Sequence, residues 1–419
     1  MDPELIARLT QEMKYEFART APPEGFPKFH DIPVERFTSD EFWNLEKKFL
    51  WPRSWVLAGR AEDLPAVGDF FTFDDLGVPI LLIRGRDGEI RAFYNTCQHR
   101  GAPVVRDPSG NSKLLRCQYH SWSYDIDDGH LVSVPDERDF VGLDKAQRCL
   151  PPIQCAIWDN WIFVNQDPNA IPFFEHIGSI ALEMAEFQGR TLRTVARQSQ
   201  VVPCNWKVTA EAFLEVYHFR HIHSRNGESL LDNRGATMGL LPNGCSRMVT
   251  PFSKASGQAL GMSDWSDYQH VVVPGFTDIE SVNDLVRSTS SAYGIFPNLI
   301  TPVAAYGFPF ITFWPIDKQT TRIDWTHYAP IDFDPVDGLP DNWQSRLDNF
   351  AVIMQEDFWN MAPMQRSLES PAMRGMPINY QERRIWNFHE QIDRIIGIDN
   401  IPVEMRVEQL LDAYIERQP

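Results

Sequence analysis

The chain of 419 residues has little positive charge and few cysteines. Its 39 Lys and Arg residues stand against 57 Asp and Glu residues, which gives a formal net charge of −18. Nucleic acids and anionic membrane surfaces bind basic patches, so neither is predicted as a partner. Of the six cysteines, Cys149, Cys155, Cys204 and Cys245 show no disulfide-framework spacing. This cysteine usage predicts a protein of the reducing cytoplasm.

The sequence also lacks a segment that predicts membrane insertion. Residues 1–20 mix charged and apolar side chains and have no apolar core of the signal-peptide kind. Residues 288–316 carry no charge and are long enough to span a membrane. That segment contains Pro297, Pro302, Pro309 and Pro315, which exclude a continuous helix. We therefore predict paired buried strands there and expect a cytoplasmic localisation.

The length and the patterns along the chain predict an α+β fold of more than one domain. An N-terminal helix near residues 3–18 and a connection fill residues 1–41. Residues 42–166 have mostly strand patterns, with a hairpin at 79–94, and predict a small all-β domain. Residues 167–419 predict a larger domain with helices at 208–219 and 343–365 and an antiparallel sheet.

Two short motifs in the predicted β domain combine cysteine with histidine. They are Cys97-Gln-His99 and Cys117-Gln-Tyr-His120. Two thiolates and two imidazoles can bind a tetrahedral Zn²⁺ or a [2Fe–2S] cluster with mixed ligands. Zinc fingers usually place both cysteines before both histidines, whereas each motif here has one of each. This order favours the cluster, and a zinc site or a set without metal remains the alternative.

A second polar pattern lies in the predicted helix at 208–219. Glu211, Glu215 and His218 follow i, i+4 and i+7 spacing and would form one polar stripe. His221 and His223 follow directly. Acids and imidazoles that face a protein interior need partners or a metal. A surface helix whose stripe faces water explains the pattern equally well.

The predicted helix at 343–365 carries an acid on its apolar face. That face is defined by helical spacing of Leu347, Phe350, Ala351, Met354, Phe358 and Met361. Asp357 lies on this face, whereas its neighbour Glu356 is expected to point elsewhere, near Asn349 and Asn360. A buried Asp is either a structural hydrogen-bond acceptor or a metal ligand. Two histidines and one carboxylate form the facial triad of oxygen-activating Fe(II) sites.

The residues around these motifs resemble a known family. Cys97-Gln-His-Arg-Gly-Ala-Pro-Val and Cys117-Gln-Tyr-His-Ser-Trp-Ser-Tyr-Asp are similar to the two loops of Rieske proteins. Farther along, Glu215-x2-His218-x4-His223 follows Asn-Trp-Lys, as in the catalytic subunit of the Rieske non-haem iron oxygenases. The resemblance covers roughly residues 40 to 370.

The resemblance implies a role for each of these residues. A Rieske [2Fe–2S] cluster would be bound by Cys97, His99, Cys117 and His120. A mononuclear Fe(II) would be bound by His218, His223 and Asp357, and His221 would be no ligand. Glu215 would link the two metal centres by hydrogen bonds, and Phe213 would border the substrate pocket.

Three positions depart from the common family pattern. Ser121 and Gln118 stand where many members have Gly and Pro, and Ala212 stands where many have Asn. The first two do not touch the cluster ligands. At Ala212 a polar contact near the iron is either absent or supplied by Glu211.

The family further implies a helix-grip (START-like) catalytic domain and an oxidoreductase activity. The protein would use O2 and two external electrons to hydroxylate a small, aromatic substrate, in one or two positions. Oxidative N- or O-demethylation is the alternative within the family. A Rieske electron carrier and a zinc-stabilised binding protein are the alternatives outside it.

Electrons would come from NAD(P)H through a separate reductase, a ferredoxin or both, since the sequence has no Rossmann fingerprint. The family also implies a homotrimer in which the cluster of one subunit lies beside the iron of the next. Glu215 would then lie between His218 and His120 of the partner subunit.

Overall fold

The computed structural model describes residues 1–75, 77–225 and 228–417. The chain divides into two compact units. One unit is continuous and comprises Trp51–Phe173. The other combines Met1–Leu50 with the chain from Phe174 onwards. The N-terminal segment, which the sequence analysis set apart as residues 1–41, therefore belongs to the larger unit.

The N-terminal segment consists of short elements after one long helix. These elements are α1 (Pro3–Ala18), β1 (Ile32–Pro33), α2 (Glu35–Thr38) and α3 (Asp40–Leu45). Helix α1 begins where predicted, because Pro3 occupies its first turn and the Asp2 side chain accepts a hydrogen bond from the Glu4 amide (2.8 Å). Leu9 and Met13 on one face of α1 are fully buried.

Buried charges explain why this segment belongs to the larger unit. The Arg36 guanidinium pairs with Asp393 (Nη1–Oδ1 2.7 Å), and Glu46 pairs with Lys207 (Oε1–Nζ 2.6 Å). All four side chains are buried. Removing one partner of such a pair costs about 3–5 kcal/mol, because the other charge stays buried without compensation. The segment is therefore part of the larger unit's interior.

The smaller unit is built of strands. They are β2 (Val56–Arg60), β3 (Asp69–Phe73), β4 (Ile80–Arg84), β5 (Ile90–Tyr94), β6 (Ser109–Asn111), β7 (Leu115–Arg116), β8 (Ser123–Tyr124), β9 (Leu131–Ser133), β10 (Pro152–Trp158) and β11 (Trp161–Asn165). Seven of them form one sheet in the order β2-β11-β10-β5-β4-β3-β6, and β7, β8 and β9 form a second. The all-β architecture agrees with the predicted one.

The predicted hairpin is formed by β4 and β5, which pair in antiparallel register from Ile80–Tyr94 to Arg84–Ile90. Its turn uses the left-handed conformation of Gly88 (φ 87°), which costs a glycine little. The Asp87 carboxylate accepts a hydrogen bond from the Glu89 amide (3.0 Å). Strand β5 then leads directly into the first Cys–His motif.

The larger unit combines one antiparallel sheet with helices. Its helices are α4 (Phe173–Ile177), α5 (Ser179–Glu183), α6 (Trp206–Glu211), α7 (Phe219–Ile222), α8 (Lys254–Ala259), α9 (Asp284–Arg287), α10 (Asp341–Leu368) and α11 (Arg383–Ile396). Its strands are β12 (Arg193–Val202), β13 (Ser224–Arg225), β14 (Glu228–Ser229), β15 (Thr237–Leu240), β16 (Ser246–Pro251), β17 (Thr289–Ile295), β18 (Leu299–Val303), β19 (Phe308–Asp317), β20 (Thr320–Ala329) and β21 (Gly375–Met376).

Seven of these strands form the main sheet in the order β12-β20-β19-β18-β17-β16-β15, with every neighbouring pair antiparallel. The predicted α+β class with an antiparallel catalytic sheet is therefore confirmed. The uncharged segment 288–316 forms β17, β18 and most of β19, as predicted. Among the described residues, no helix combines the length and the apolar character needed to cross a membrane.

The long helix α10 packs on one face of this sheet. The ring of Phe358 lies 6.1 Å from that of Trp325, and the ring of Phe350 lies 5.0 Å from that of His327. Trp325 and His327 are two residues apart on β20, so their side chains point to the same face of the sheet, which is the face that α10 covers. Helix α10 therefore places Asp357, seven residues after Phe350, in the layer between helix and sheet.

Candidate metal centres

The two Cys–His loops of the smaller unit have the same backbone geometry. In the first loop the Cys97 amide donates to the Ala102 carbonyl (2.9 Å), and the Gly101 amide donates to the Cys97 carbonyl (3.0 Å). The second loop repeats both bonds, each 2.9 Å long, among Cys117, Ser121 and Trp122. This repetition gives two equivalent cradles that face a common centre.

Ser121 occupies the position that Gly101 has in the first loop. Its φ is 59° and that of Gly101 is 74°, so both lie in the left-handed region. A side chain disfavours this conformation, which explains why glycine is common there. The departure noted at Ser121 therefore places a mildly strained residue beside His120.

The four side chains of these loops fit a mixed-ligand cluster. Cys97 and Cys117 are buried thiols that form no disulfide. The rings of His99 and His120 lie 4.6 Å apart. The Nδ1 atom of His99 is buried and has no hydrogen-bond partner among the described residues. A metal-bound imidazole nitrogen would have this environment, because a buried ring nitrogen without any partner is costly.

Neighbouring side chains support the loops. The Tyr124 hydroxyl accepts a hydrogen bond from the Gln98 amide (2.9 Å) and lies 3.2 Å from the Cys97 sulfur. Burial raises the pKa of Tyr124, so its hydroxyl stays protonated and donates to that sulfur. Trp122 stacks on His99 at 4.8 Å. His120, in contrast, is exposed.

Replacing either type of cluster ligand should abolish the colour of the protein. Cys97→Ala and His120→Ala are each expected to remove the red-brown absorption, because each leaves one iron short of a ligand. Cys149→Ala, in the same unit but outside both loops, is the matched control and should keep the full spectrum. A colourless wild-type protein with stoichiometric zinc would contradict the assignment.

The predicted helix at 208–219 is wrong. Helix α6 ends at Glu211, and α7 begins at Phe219. The end of α6 tightens, because the Phe213 amide bonds to the Ala210 carbonyl (3.0 Å), and the Leu214 carbonyl accepts from Arg384 (3.2 Å). Glu211, Glu215 and His218 therefore do not form a continuous helical stripe.

The break nevertheless brings three predicted ligands together. His218 precedes α7 and His223 follows it. The Asp357 Oδ1 lies 3.6 Å from His218 Nε2 and 3.2 Å from His223 Nε2. One ligand atom from each residue lies within 4.8 Å of the others. Two neutral imidazoles and one ionised carboxylate, all converging, fit a divalent iron with open positions.

Each histidine of the triad is held by a second carboxylate. His218 Nδ1 bonds to Glu215 Oε1, and His223 Nδ1 bonds to Glu356 Oε2 (2.7 Å). Such bonds fix the ring orientation and leave Nε2 free for a metal. The expectation that Glu356 points away from the site is therefore wrong. Helical spacing places Glu356 off the apolar face of α10, but its side chain is long enough to reach His223.

The remaining candidates lie around this triad. His221 is exposed and accepts a hydrogen bond from Arg220 (3.1 Å), apart from the triad. The Phe213 ring lies 5.3 Å from that of Phe313 on β19. Glu211 is buried, and its Oε1 lies 2.7 Å from His389 Nε2. Burial raises the pKa of Glu211 to about 8.

A cavity of about 320 Å³ opens beside the triad. His218 and Asp357 lie in its wall together with three further acids. Those acids are Glu211, Glu215 and Glu382. Burial raises the pKa of Glu382, and the nearby charge of Glu215 adds to this effect, against a backbone hydrogen bond from Asn379 that lowers it. The apolar wall includes Met361 and Met364, which follow Asp357 on α10.

A cluster-binding β unit and a separate two-histidine, one-carboxylate iron site together define the Rieske-type oxygenases. Residues 189–398 match the family described as "Ring hydroxylating alpha subunit (catalytic domain)", and residues 54–151 match the "Rieske [2Fe-2S] domain". The chain belongs to the family of ring-hydroxylating Rieske oxygenase alpha subunits. It is an oxidoreductase whose cofactors are a Rieske [2Fe–2S] cluster and a mononuclear iron.

Curated relatives include both monooxygenases and dioxygenases. The carnitine monooxygenase oxygenase subunit of Escherichia coli K12 is 25% identical over 351 residues, which are 82% of this chain and 86% of that protein. The biphenyl 2,3-dioxygenase alpha subunit of Rhodococcus jostii is 36% identical over 190 residues, which cover 43% of this chain and 41% of that protein.

Solved structures share the fold over most of the chain. A quaternary ammonium Rieske monooxygenase in complex with L-carnitine has a TM-score of 0.69 at 21% identity, over 89% of this chain and 98% of that one. Naphthalene 1,2-dioxygenase from Rhodococcus sp. bound to indole also has a TM-score of 0.69, at 19% identity, over 94% and 98%. At these identities the likeness establishes the fold.

Proposed function

We propose that this protein is the terminal component of an oxygenase system that hydroxylates a small aromatic substrate with O2 and two external electrons. The observation that carries this proposal is the convergence of His218, His223 and Asp357 in a chain that also contains the two Cys–His loops of a Rieske domain. When bound, the cluster passes single electrons and the iron activates O2. The proposed ligands are those named in the sequence analysis.

The chain's own side chains prepare the iron site. Glu215 and Glu356 orient the two imidazoles and raise their basicity toward the metal. Burial of Asp357 keeps water from competing for its carboxylate. Phe213, whose ring contacts Phe313 of the main sheet, is proposed to border the substrate. The Fe(II) assignment over zinc rests on the open positions of this triad and on the family.

The cavity beside the triad, which Glu211, Glu215 and Glu382 line, is proposed to receive the group that passes electrons to the mononuclear iron. Glu215 lines it and contacts His218, so a donor seated there is one carboxylate away from the iron. His120 is an exposed cluster histidine. We propose a homotrimer in which His120 of the partner subunit bonds to Glu215. Exposed apolar side chains at Met364 and Tyr119 would be covered by this contact.

Oxidative demethylation is the second candidate. The carnitine monooxygenase subunit, which aligns over 82% of this chain against 43% for the biphenyl dioxygenase subunit, favours a monooxygenase reaction, the class to which demethylation belongs. Both reactions consume one O2 and two electrons. Hydroxylation of a methyl carbon next to nitrogen or oxygen yields formaldehyde and a demethylated product, and the second oxygen atom leaves as water.

Product analysis tests the proposal. Holoenzyme, NADH and a reductase with its ferredoxin would be incubated under ¹⁸O2 with aromatic acids, aromatic amines and N-methyl compounds. Ring hydroxylation should place one or two ¹⁸O atoms in an aromatic product, whereas demethylation should release formaldehyde and one equivalent of the demethylated compound. Iron analysis should find about three irons per chain, two in the cluster and one mononuclear. A protein with about two irons and no oxygenated product would be an electron carrier.

A further inference from the structure

Glu211 uses only one of its two carboxyl oxygens for contacts within the protein. Its Oε1 lies 2.7 Å from His389 Nε2. Its Oε2 keeps accessible surface and has no hydrogen-bond partner among the described residues. Glu211 lies in the wall of the cavity of about 320 Å³ that His218 and Asp357 also line. The second oxygen is therefore available to water in the cavity beside the triad.

A hydrogen bond from Arg36 fixes where His389 has its proton. The Nε of Arg36 donates to His389 Nδ1 (3.0 Å). A guanidinium can only donate, so Nδ1 is the accepting nitrogen of a neutral imidazole. The ring proton therefore lies on Nε2, which donates to Glu211 Oε1. His389 cannot take a proton from Glu211, and a proton on this carboxyl group lies on Oε2.

The cations that act on Glu211 are each engaged by another carboxylate, in the pairs Arg36–Asp393 and Lys207–Glu46. Because His389 is neutral, an ionised Glu211 would be a buried charge without a cation of its own, which is costly. Burial accordingly raises the pKa of Glu211 to about 8, although the charges of Lys207 and Arg36 lower it. Glu211 is therefore mainly protonated at neutral pH.

The proposed reaction consumes protons as well as electrons. Insertion of one oxygen atom of O2 into a C–H bond takes up two electrons and two protons and releases one water. A water molecule needs about 10–15 Å³ of cavity volume, so the cavity holds several waters between its polar walls. Glu211 and the triad can therefore exchange a proton through water.

We propose that Glu211 is the proton donor of the oxygenase reaction and that its Oε2–H faces the cavity beside the triad. This inference rests on the proposed oxygenase function and adds a proton-transfer residue to it. In each transfer the Oε2–H bond breaks and a new O–H bond forms on a cavity water, which passes a proton on to the oxygen that is being reduced. The carboxylate left on Glu211 then takes a proton from another cavity water. The electrons come from the external reductase.

Infrared spectroscopy of the resting holoenzyme tests the proton site without turnover. Wild type should show the carbonyl stretch of a protonated carboxyl group, which shifts in D2O and disappears as the pH rises through about 8. Glu211→Gln should lack this band, and Glu211→Asp, which keeps an acid, should show it at a shifted position. An intact cluster spectrum and an unchanged melting temperature would show that each variant is folded.

The control must separate Glu211 from the other titratable groups around it. These are Lys207 on α6, Cys204 before α6, Arg36 on α2, His389 on α11, Glu382 before α11, and Glu215 in the same cavity wall. Glu382 is an acid of this cavity whose pKa burial also raises. Glu382→Gln is therefore the matched control, and it should keep the infrared band of Glu211.

Turnover measurements test whether this proton is used. The compound that product analysis finds to be oxygenated serves as the substrate. Wild-type product formation should be slower in D2O and should fall as the pH rises through about 8, because the protonated form of Glu211 is lost. Glu211→Gln should lower the rate about 100-fold and remove both dependences. Glu382→Gln should keep both.

Three results would overturn the proton donor. The first is a wild-type protein without a pH-dependent carboxyl band that Glu211→Gln removes. The second is a band that Glu382→Gln removes instead. The third is a folded Glu211→Gln protein with the wild-type rate and pH profile. If no compound is oxygenated, proton delivery fails together with the proposed function, and the infrared band still decides where the proton is held.

Discussion

Asp357→Ala is expected to abolish turnover while the Rieske spectrum stays intact. Asp357 supplies the only carboxylate of the triad, and no other described acid converges on both Nε2 atoms. Losing the mononuclear iron removes several kcal/mol of transition-state stabilisation, or a rate loss of about 1,000-fold or more. His218→Ala and His223→Ala should behave in the same way. Steady-state product formation and iron analysis on the purified variants measure the effect.

Two neighbours serve as matched controls for this expectation. His221→Ala removes an imidazole close in sequence but outside the triad, and activity should be retained. Glu356→Gln replaces the ionised acceptor of the His223 hydrogen bond with a neutral amide oxygen, and iron affinity should fall about 10- to 100-fold without loss of the site. If Asp357→Ala kept its mononuclear iron and Glu356→Ala lost it irrecoverably, the carboxylate ligand would be Glu356.

Glu215→Gln is expected to keep both metal centres but to slow electron transfer between them severely. Glu215 is bonded to His218 through the nitrogen that does not face the triad, so it is not a ligand. An ionised carboxylate can accept a hydrogen bond from each of two imidazoles through its two oxygens. The glutamine amide has one acceptor oxygen and no charge, so it cannot replace the carboxylate in this role. Stopped-flow measurement of the oxidation of the reduced cluster, with substrate and O2, should show a rate lower by about 10- to 100-fold.

Mixed trimers test where those electrons travel. Cys97→Ala protein lacks a cluster, and Asp357→Ala protein lacks the mononuclear iron, so each alone should be inactive. If the cluster of one subunit serves the iron of the next, exchange of subunits should restore partial activity. Activity that stays absent in mixed trimers verified by mass spectrometry would place the transfer within one chain.

Glu382→Gln is the matched control for Glu215→Gln, because it removes another acid from the same cavity.

The cluster loops were predictable from sequence because their chemistry is local. Cys97, His99, Cys117 and His120 lie in two short motifs, and each loop closes on its own backbone. The hairpin before them was equally local, since an Asp-Gly turn fixes the register of β4 and β5. Helix α1 was predictable from its Pro3 and its Asp2 cap.

The iron site was predictable only in its ligands and not in its shape. The helical spacing of Glu211, Glu215 and His218 led to a predicted helix that continues to residue 219. The helix ends early through tertiary contacts, notably the bond from Arg384 to the Leu214 carbonyl. Glu356 was missed for a similar reason, because periodicity describes where a Cα faces and not how far a long side chain reaches. Partners such as Arg384 are distant in sequence and invisible to a local pattern.

The division of the chain into a continuous unit and an interrupted one has a consequence for its synthesis. Residues 51–173 leave the ribosome as one stretch and can fold as soon as they emerge. The other unit cannot fold at that point, because two of its buried ion pairs need residues that are synthesised much later. Glu46 pairs with Lys207, and Arg36 pairs with Asp393. The smaller unit, with its cluster loops, can therefore form before Lys207 and Asp393 have been synthesised, whereas the larger unit, with the mononuclear iron site, can form only after them. Cells that cannot assemble iron–sulfur clusters would then accumulate newly made protein without its Rieske cluster. Such protein would have no electron path to its mononuclear iron.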